Sequence, residues 1–241
     1  MKRAQISLFM IIGLIIVIAG AILVYMVDTP KIEELKEIDE NPIVEMTQQC
    51  MNDVAYDAIN IVGHFGGGYI SNSDSLSDIS LHLEEGVILS PDQLVVGENF
   101  AKIIDETLLS CLNGYKSFWQ IGQRVLPLES YTQVVVSNNA LIIKTIMKTS
   151  IEEDGANKEI SSFNSELSYS FGKYYKIVTD IVAHHKERGM FDITYIENLA
   201  QENKFDYEIF PYEGYQIMSF KFTKDIRPLL INVRVKLNEE I

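Results

Sequence analysis

TQVVVSNNALIIKTIMK, residues 132–148, is the stretch that decides the fold. Two runs rich in β-branched and aliphatic side chains, 132–137 and 140–148, flank Asn138-Asn139, a dipeptide suited to a tight hairpin turn. Residues 152–155, Glu-Glu-Asp-Gly, predict a second turn, followed by a weaker strand near 160–168. Phe171, Tyr174, Val178, Ile181, Val182 and His185 then recur at helical spacing, and Gly189 marks where that helix ends. A short helix is expected over 192–203, and three strand runs over 205–210, 215–223 and 229–237. In the last, Ile231, Val233, Val235 and Leu237 alternate with Asn232, Arg234 and Lys236, the period of a half-buried strand.

Upstream of residue 115 the pattern is helical. Asn41-Pro42 is a start signal, with Asn as N-cap and Pro at the first helical position. The helix expected over 42–62 carries Met46, Cys50, Val54, Ala58 and Ile61 on one stripe, with Gly63 as its stop. A second helix opens at Ser90-Pro91, where Gln93 and Ser90 match a capping box. Its apolar positions Phe100, Ile104, Leu108 and Cys111 share a face, and Asn113-Gly114 ends it. The fold class expected for the chain is therefore α+β. A helical part at 41–114 adjoins an antiparallel sheet with packed helices over 115–241.

Residues 5–27 hold no charge and are apolar at nearly every position. As a helix they extend about 35 Å, enough for a hydrocarbon core of about 30 Å. Lys2 and Arg3 precede this block, and an acidic stalk, 28–40, follows it after Thr29-Pro30. The positive-inside rule puts the N-terminus in the cytoplasm and the remainder of a single-pass chain outside. The 241-residue chain has 20 Lys plus Arg, 34 Asp plus Glu and a net charge of −14. Beyond the span 18 basic residues face 34 acidic ones, a net −16. Such a surface argues against nucleic acid as a partner. Outside the cytoplasm the two cysteines, Cys50 and Cys111, are expected to form a disulfide, contributing about 4 kcal/mol in the chain-entropy model.

Two resemblances follow from these residues. Lys2-Arg3-Ala4, then Gln5-Ile6-Ser7-Leu8-Phe9 and an apolar helix, resembles the class III signal peptide of archaeal type IV pilin-like proteins. The resemblance implies cleavage between Ala4 and Gln5 and a helix able to enter a filament core. It departs from the bacterial pattern at Phe9, where many pilins carry glutamate. The basic start, a Cys-bearing helix, Gly67-Gly68-Tyr69-Ile70 and a second Cys-bearing helix are similar to a set of uncharacterised membrane-anchored archaeal proteins. That likeness spans the first half and implies no activity.

Little in the sequence points to catalysis, and no cofactor or metal site is expected. His184-His185 are helical neighbours about 100° apart, and no His-x-x-x-His occurs. His185 is expected in the core and His184 on the surface. Gly66-Gly67-Gly68 lacks the Lys-Ser/Thr of a phosphate loop, and residues 71–78 lack the glycine and distal glutamate of an EF-hand. Tyr207, Phe210, Tyr212 and Tyr215, grouped around Pro211 and Gly214, are the candidate partner contact at a hairpin tip. The functional expectation is a surface-anchored structural or interaction protein, with a pilin-like filament subunit as its specific form. The membrane through residues 5–27, other copies of the chain and other envelope proteins are the expected partners. A membrane-tethered ligand-binding or sensing module is the alternative, and an enzyme the least favoured class.

Overall fold

The first helix, α1 (Asn41–His64), is shared by two sheets. The structure is a computed structural model and describes residues 41–69, 75–84, 86–189 and 191–236, within one unit, Ile38–Ile241. The leader, the apolar block at 5–27 and the stalk at 28–40 lie outside the described residues. No helix among the described residues is long and apolar enough to cross a membrane.

The buried stripe of α1 runs through Ile43, Cys50, Met51, Val54, Ala58, Ile59 and Val62, while Met46 and Ile61 are only half-buried. Thr47 enters the core because its hydroxyl satisfies itself locally, donating to the Ile43 carbonyl at 2.7 Å and meeting the Tyr115 hydroxyl at 2.6 Å. Gly63, expected as a stop, lies inside α1. A Cβ there would sit 2.5 Å from the Leu230 carbonyl oxygen, so the residue serves close approach to a strand. The chain turns afterwards, at Gly66 (φ +61°) and Gly67 (φ +87°).

A short hairpin, β1 (His82–Glu84) and β2 (Val87–Leu89), leads to α2 (Gln93–Leu112). The N-cap of α2 is Asp92, whose Oδ1 accepts from the Val95 amide at 2.9 Å. Ser90, the expected cap, is used elsewhere, its hydroxyl lying 3.2 Å from that of Tyr175. Asn113 closes α2 in the left-handed conformation, and a single helical turn, Lys116–Trp119, intervenes before the strands.

The strands β3 (Arg124–Val136), β4 (Leu141–Glu153) and β5 (Ala156–Leu167) form an antiparallel meander. β3 starts eight residues earlier than expected, because a register shift between Pro127 and Ser130 absorbs a proline that the regular pattern cannot. Both turns fall where the sequence puts them, at Asn138-Asn139 and at Asp154-Gly155, where both residues have positive φ. Next come α3 (Phe171–Arg188), capped by Gly189, and α4 (Ile193–Asn203), whose N-cap is Asp192. The chain finishes with β6 (Phe205–Tyr212), β7 (Tyr215–Phe222) and β8 (Leu229–Val235).

Among the described residues the architecture is α+β, with the helices α1 to α4 and the single turn at Lys116–Trp119, but the strands form two sheets where one antiparallel sheet was expected. The larger runs β2-β1-β8-β7-β6 and is mixed, since β1 pairs with β8 in parallel. Residues 41–114, expected as a helical part, thus also contribute two strands to that sheet. One of its faces packs on α3, with Tyr174 stacked on Phe222 at 4.3 Å. The other receives the C-terminal end of α1, which buries Asn232. Alternation alone would leave Asn232 in solvent.

Two helices close the smaller sheet along its edges. At β3, α2 comes so near that a Cβ on Gly97 would lie 2.4 Å from the Val134 carbonyl oxygen. Asp105, two turns further along α2, accepts from the Thr132 amide (3.0 Å), the Thr132 hydroxyl (2.7 Å) and the Ser130 hydroxyl (2.9 Å). At β5, Gln48 of α1 donates to the Asn164 carbonyl at 3.0 Å. The Thr132 amide and the Asn164 carbonyl, edge groups that could otherwise pair with another strand, are therefore occupied.

Candidate interaction surface

Cys50 and Cys111 are bonded, with a Cα–Cα distance of 5.8 Å, and join α1 to α2. The cleavage candidates Ala4 and Gln5 lie outside the described residues. The aromatic group at the β6–β7 hairpin does not gather into one patch. Register puts Phe210, Tyr212 and Tyr215 on the face that also carries Arg234, and Tyr207 on the opposite face, across from Phe220. All four rings are half-buried, and the Arg234 guanidinium covers the Tyr215 ring at 4.6 Å.

Several polar clusters of the domain are engaged in structural contacts. Asn232 accepts from the Ser219 hydroxyl at 2.6 Å, and its amide nitrogen lies 3.0 Å from the His64 carbonyl and 3.1 Å from His64 Nδ1. With that amide as donor, Nδ1 is the acceptor in this contact. Ser219 donates to Asn232 and not to His64. His184 lies 3.2 Å from Asp192 and stacks on Tyr195, making it less of a surface residue than expected. Asp192 is held below the usual carboxylate range first by the Tyr195 amide and then by His184. His185 is buried against Phe191, and its Nδ1 has no hydrogen-bond partner. The amides of Gly66, Gly67 and Gly68 donate to the carbonyls of Gly63, Val62 and Phe65, which leaves no nest for an anion. Among the described residues no group of three or more His, Cys, Asp or Glu is placed to hold a metal ion.

The smaller sheet offers a different kind of site. Its inner face is lined by Leu141, Ile143, Met147 and Ile151 of β4, all fully buried. Its outer face carries Tyr131 and Val135 of β3, each 60% exposed, opposite Ile146 (46%) and Ile142 (48%) of β4. Leu128, at the β3 irregularity, extends the patch. The sequence signal was present in Val134-Val135-Val136 and Leu141-Ile142-Ile143, because unbroken apolar runs belong to strands covered on both faces. Among the described residues the fold covers only one of them.

No known protein family matches the chain, and neither a curated protein nor a solved structure is found to be similar to it. Among the described residues the fold defines a disulfide-bonded α+β domain whose smaller sheet leaves Tyr131, Val135, Ile142 and Ile146 exposed on its outer face.

Proposed function

We propose that this chain acts by contact, as a single-pass, surface-anchored structural or interaction protein whose specific form is a pilin-like filament subunit. The outer face of β3 and β4 carries the reading, since it concentrates aliphatic and aromatic side chains on a flat surface that a solvated domain gains nothing by exposing. The disulfide supports an oxidising location. The uncharged block at 5–27 behind Lys2 and Arg3 supports the anchor and its orientation. N-terminal sequencing of the protein from its native membrane tests the pilin-like form. Gln5 as first residue is the expected outcome, and an intact Met1 or Lys2 refutes it. Electron microscopy of sheared surface material then reads whether the chain polymerises.

The alternative, a tethered ligand-binding or sensing module, has one observation in its favour. A groove of about 380 Å³ lies between Asn60, Ile61, His64, Phe65 and Leu230, with the His64 ring oriented by Asn232. Calorimetry on the full chain tests it: a small molecule seated there should lose binding in His64→Ala, and unchanged binding refutes the groove as its site.

A further inference from the structure

Residues 116–122, between α2 and β3, form a knob with a closed interior. The amides of Ile121 and Gln123 both donate to the Phe118 carbonyl, each at 3.1 Å, and that of Gly122 donates to the Trp119 carbonyl at 3.3 Å. Gly122 closes the turn at φ +87°. Phe118 is buried, its ring 6.0 Å from that of the fully buried Tyr115. Trp119 and Ile121 take no part in the core and stand 52% and 69% exposed. Residues 113–124 carry two cations, Lys116 and Arg124, and no carboxylate, on a chain of net charge −14. The carboxylates that reach this stretch are engaged, Glu152 by Arg124 at 3.8 Å and Glu153 by the Gln123 amide nitrogen at 2.8 Å.

The knob stands at the end of the domain where α1 begins. The Tyr115 hydroxyl meets that of Thr47, and the Ser117 hydroxyl lies 3.9 Å from Met46 Sδ. Met46 is five residues from Asn41, about 8 Å along the helix axis. Asn41 is where the stalk arrives, since residues 28–40 join it to Val27. Whatever path they take, those residues span at most about 45 Å. The fold thus sets the chain's one tryptophan, an exposed isoleucine and two cations beside the point of attachment to the apolar block.

We propose that Trp119 and Ile121 dock on the lipid surface that residues 5–27 enter, with the indole at headgroup depth and Lys116 and Arg124 reaching the lipid phosphates. Tryptophan suits that layer because its ring is apolar and its N–H end is wet. Two side chains bind a bilayer weakly from free solution, but so short a tether holds the knob at high effective concentration beside it. The inference rests on the anchored reading above and names a second contact of the chain with the same membrane.

Fluorescence of the full chain in phosphatidylcholine vesicles with brominated acyl chains tests it, since Trp119 is the only tryptophan. Far-UV circular dichroism and an intact Cys50–Cys111 bond confirm each variant's fold. In the natural chain Trp119 should be quenched by the bromines and shielded from aqueous acrylamide. Ile121→Asp should lower the docking equilibrium about tenfold and return Trp119 to water. Ile226→Asp should change nothing: Ile226 is 87% exposed, but its neighbour Arg227 lies against Asp57, ten residues beyond Thr47 on α1. A chain that alkaline carbonate releases from the vesicles refutes the anchor, and the docking with it. A chain that carbonate leaves inserted, with Trp119 open to acrylamide and untouched by bromine, keeps the anchor and refutes the docking alone. Shielding from acrylamide without quenching by bromine refutes lipid in favour of a protein cover. Quenching indifferent to Ile121→Asp, or lost equally in Ile226→Asp, also overturns the proposal.

Discussion

Gly97→Ala separates two opposite expectations about α2. Helix propensity alone says that alanine at an interior position stabilises by up to about 1 kcal/mol. The structure says the reverse, since the new Cβ would lie 2.4 Å from the Val134 carbonyl oxygen, where ordinary contact begins at 3.4 Å. That oxygen belongs to a strand locked in register, Val134 opposite Ile143, and cannot swing aside as a side chain could. The helix must retreat by about 1 Å. Overpacking of this kind costs about 1–3 kcal/mol. The same movement stretches the three bonds that Asp105 accepts from Ser130 and Thr132, each worth about 1 kcal/mol or more. Set against the propensity gain, the net destabilisation is about 2–3 kcal/mol, or a fall in Tm of roughly 5–10 °C for a domain of this size. Urea unfolding followed by circular dichroism reads it, with the exposed Ser110→Ala on the same helix reporting propensity without a clash. A Gly97→Ala chain as stable as the natural one, or more so, would refute the account of how α2 seals the β3 edge.

Two further outcomes follow from the interior. Replacing Cys50 and Cys111 together by serine, or reducing the bond, should lower stability by about 4 kcal/mol for a loop of this length; an unchanged urea midpoint with both thiols shown to be free would contradict it. Burial raises the phenols of Tyr115, Tyr169 and Tyr174 above their ordinary range and pushes Tyr175 up to about 12. The protonated forms are therefore favoured by folding, and their contribution is intact below pH about 10 and lost as pH rises towards 12. Tyrosinate absorbance of the twelve tyrosines should thus rise in two phases, the later one coinciding with loss of structure. A single phase near pH 10 in a chain that stays folded would show these rings to be in solvent.

Much of the domain was legible because its signals are local. Asn138-Asn139 and Asp154-Gly155 place two turns correctly, the second because both of its residues take positive φ and the first beside a Ser137 hydroxyl that bonds Ala140 across the turn. The amphipathic period of α3 and its glycine cap did the same for a helix. The errors share a cause. Local chemistry marks Gly63 as a stop and Ser90 as a cap, yet Gly63 answers to Leu230 and Ser90 to Tyr175, both far along the chain. The hairpin aromatics drew notice by being adjacent in sequence, whereas period-2 geometry splits Tyr207 from Phe210, Tyr212 and Tyr215.

By itself the sequence determined the type of most elements but not the short β1–β2 hairpin, most of their limits, the cysteine pair, and an uncharged N-terminal block behind two basic residues. Periodicity, turn residues and charge are properties of a stretch of chain and need no partner to be read. Tertiary structure alone decided that the strands divide between two sheets and that β1 joins β8 in parallel. It also decided that α1 buries Asn232, and that α2 and α1 close the edges of the smaller sheet. Those are choices among surfaces of similar apolarity, settled by which pairs fit at backbone distance. The apolar runs at 134–136 and 141–143 asked to be covered on both sides, and the fold of one chain supplies a single cover.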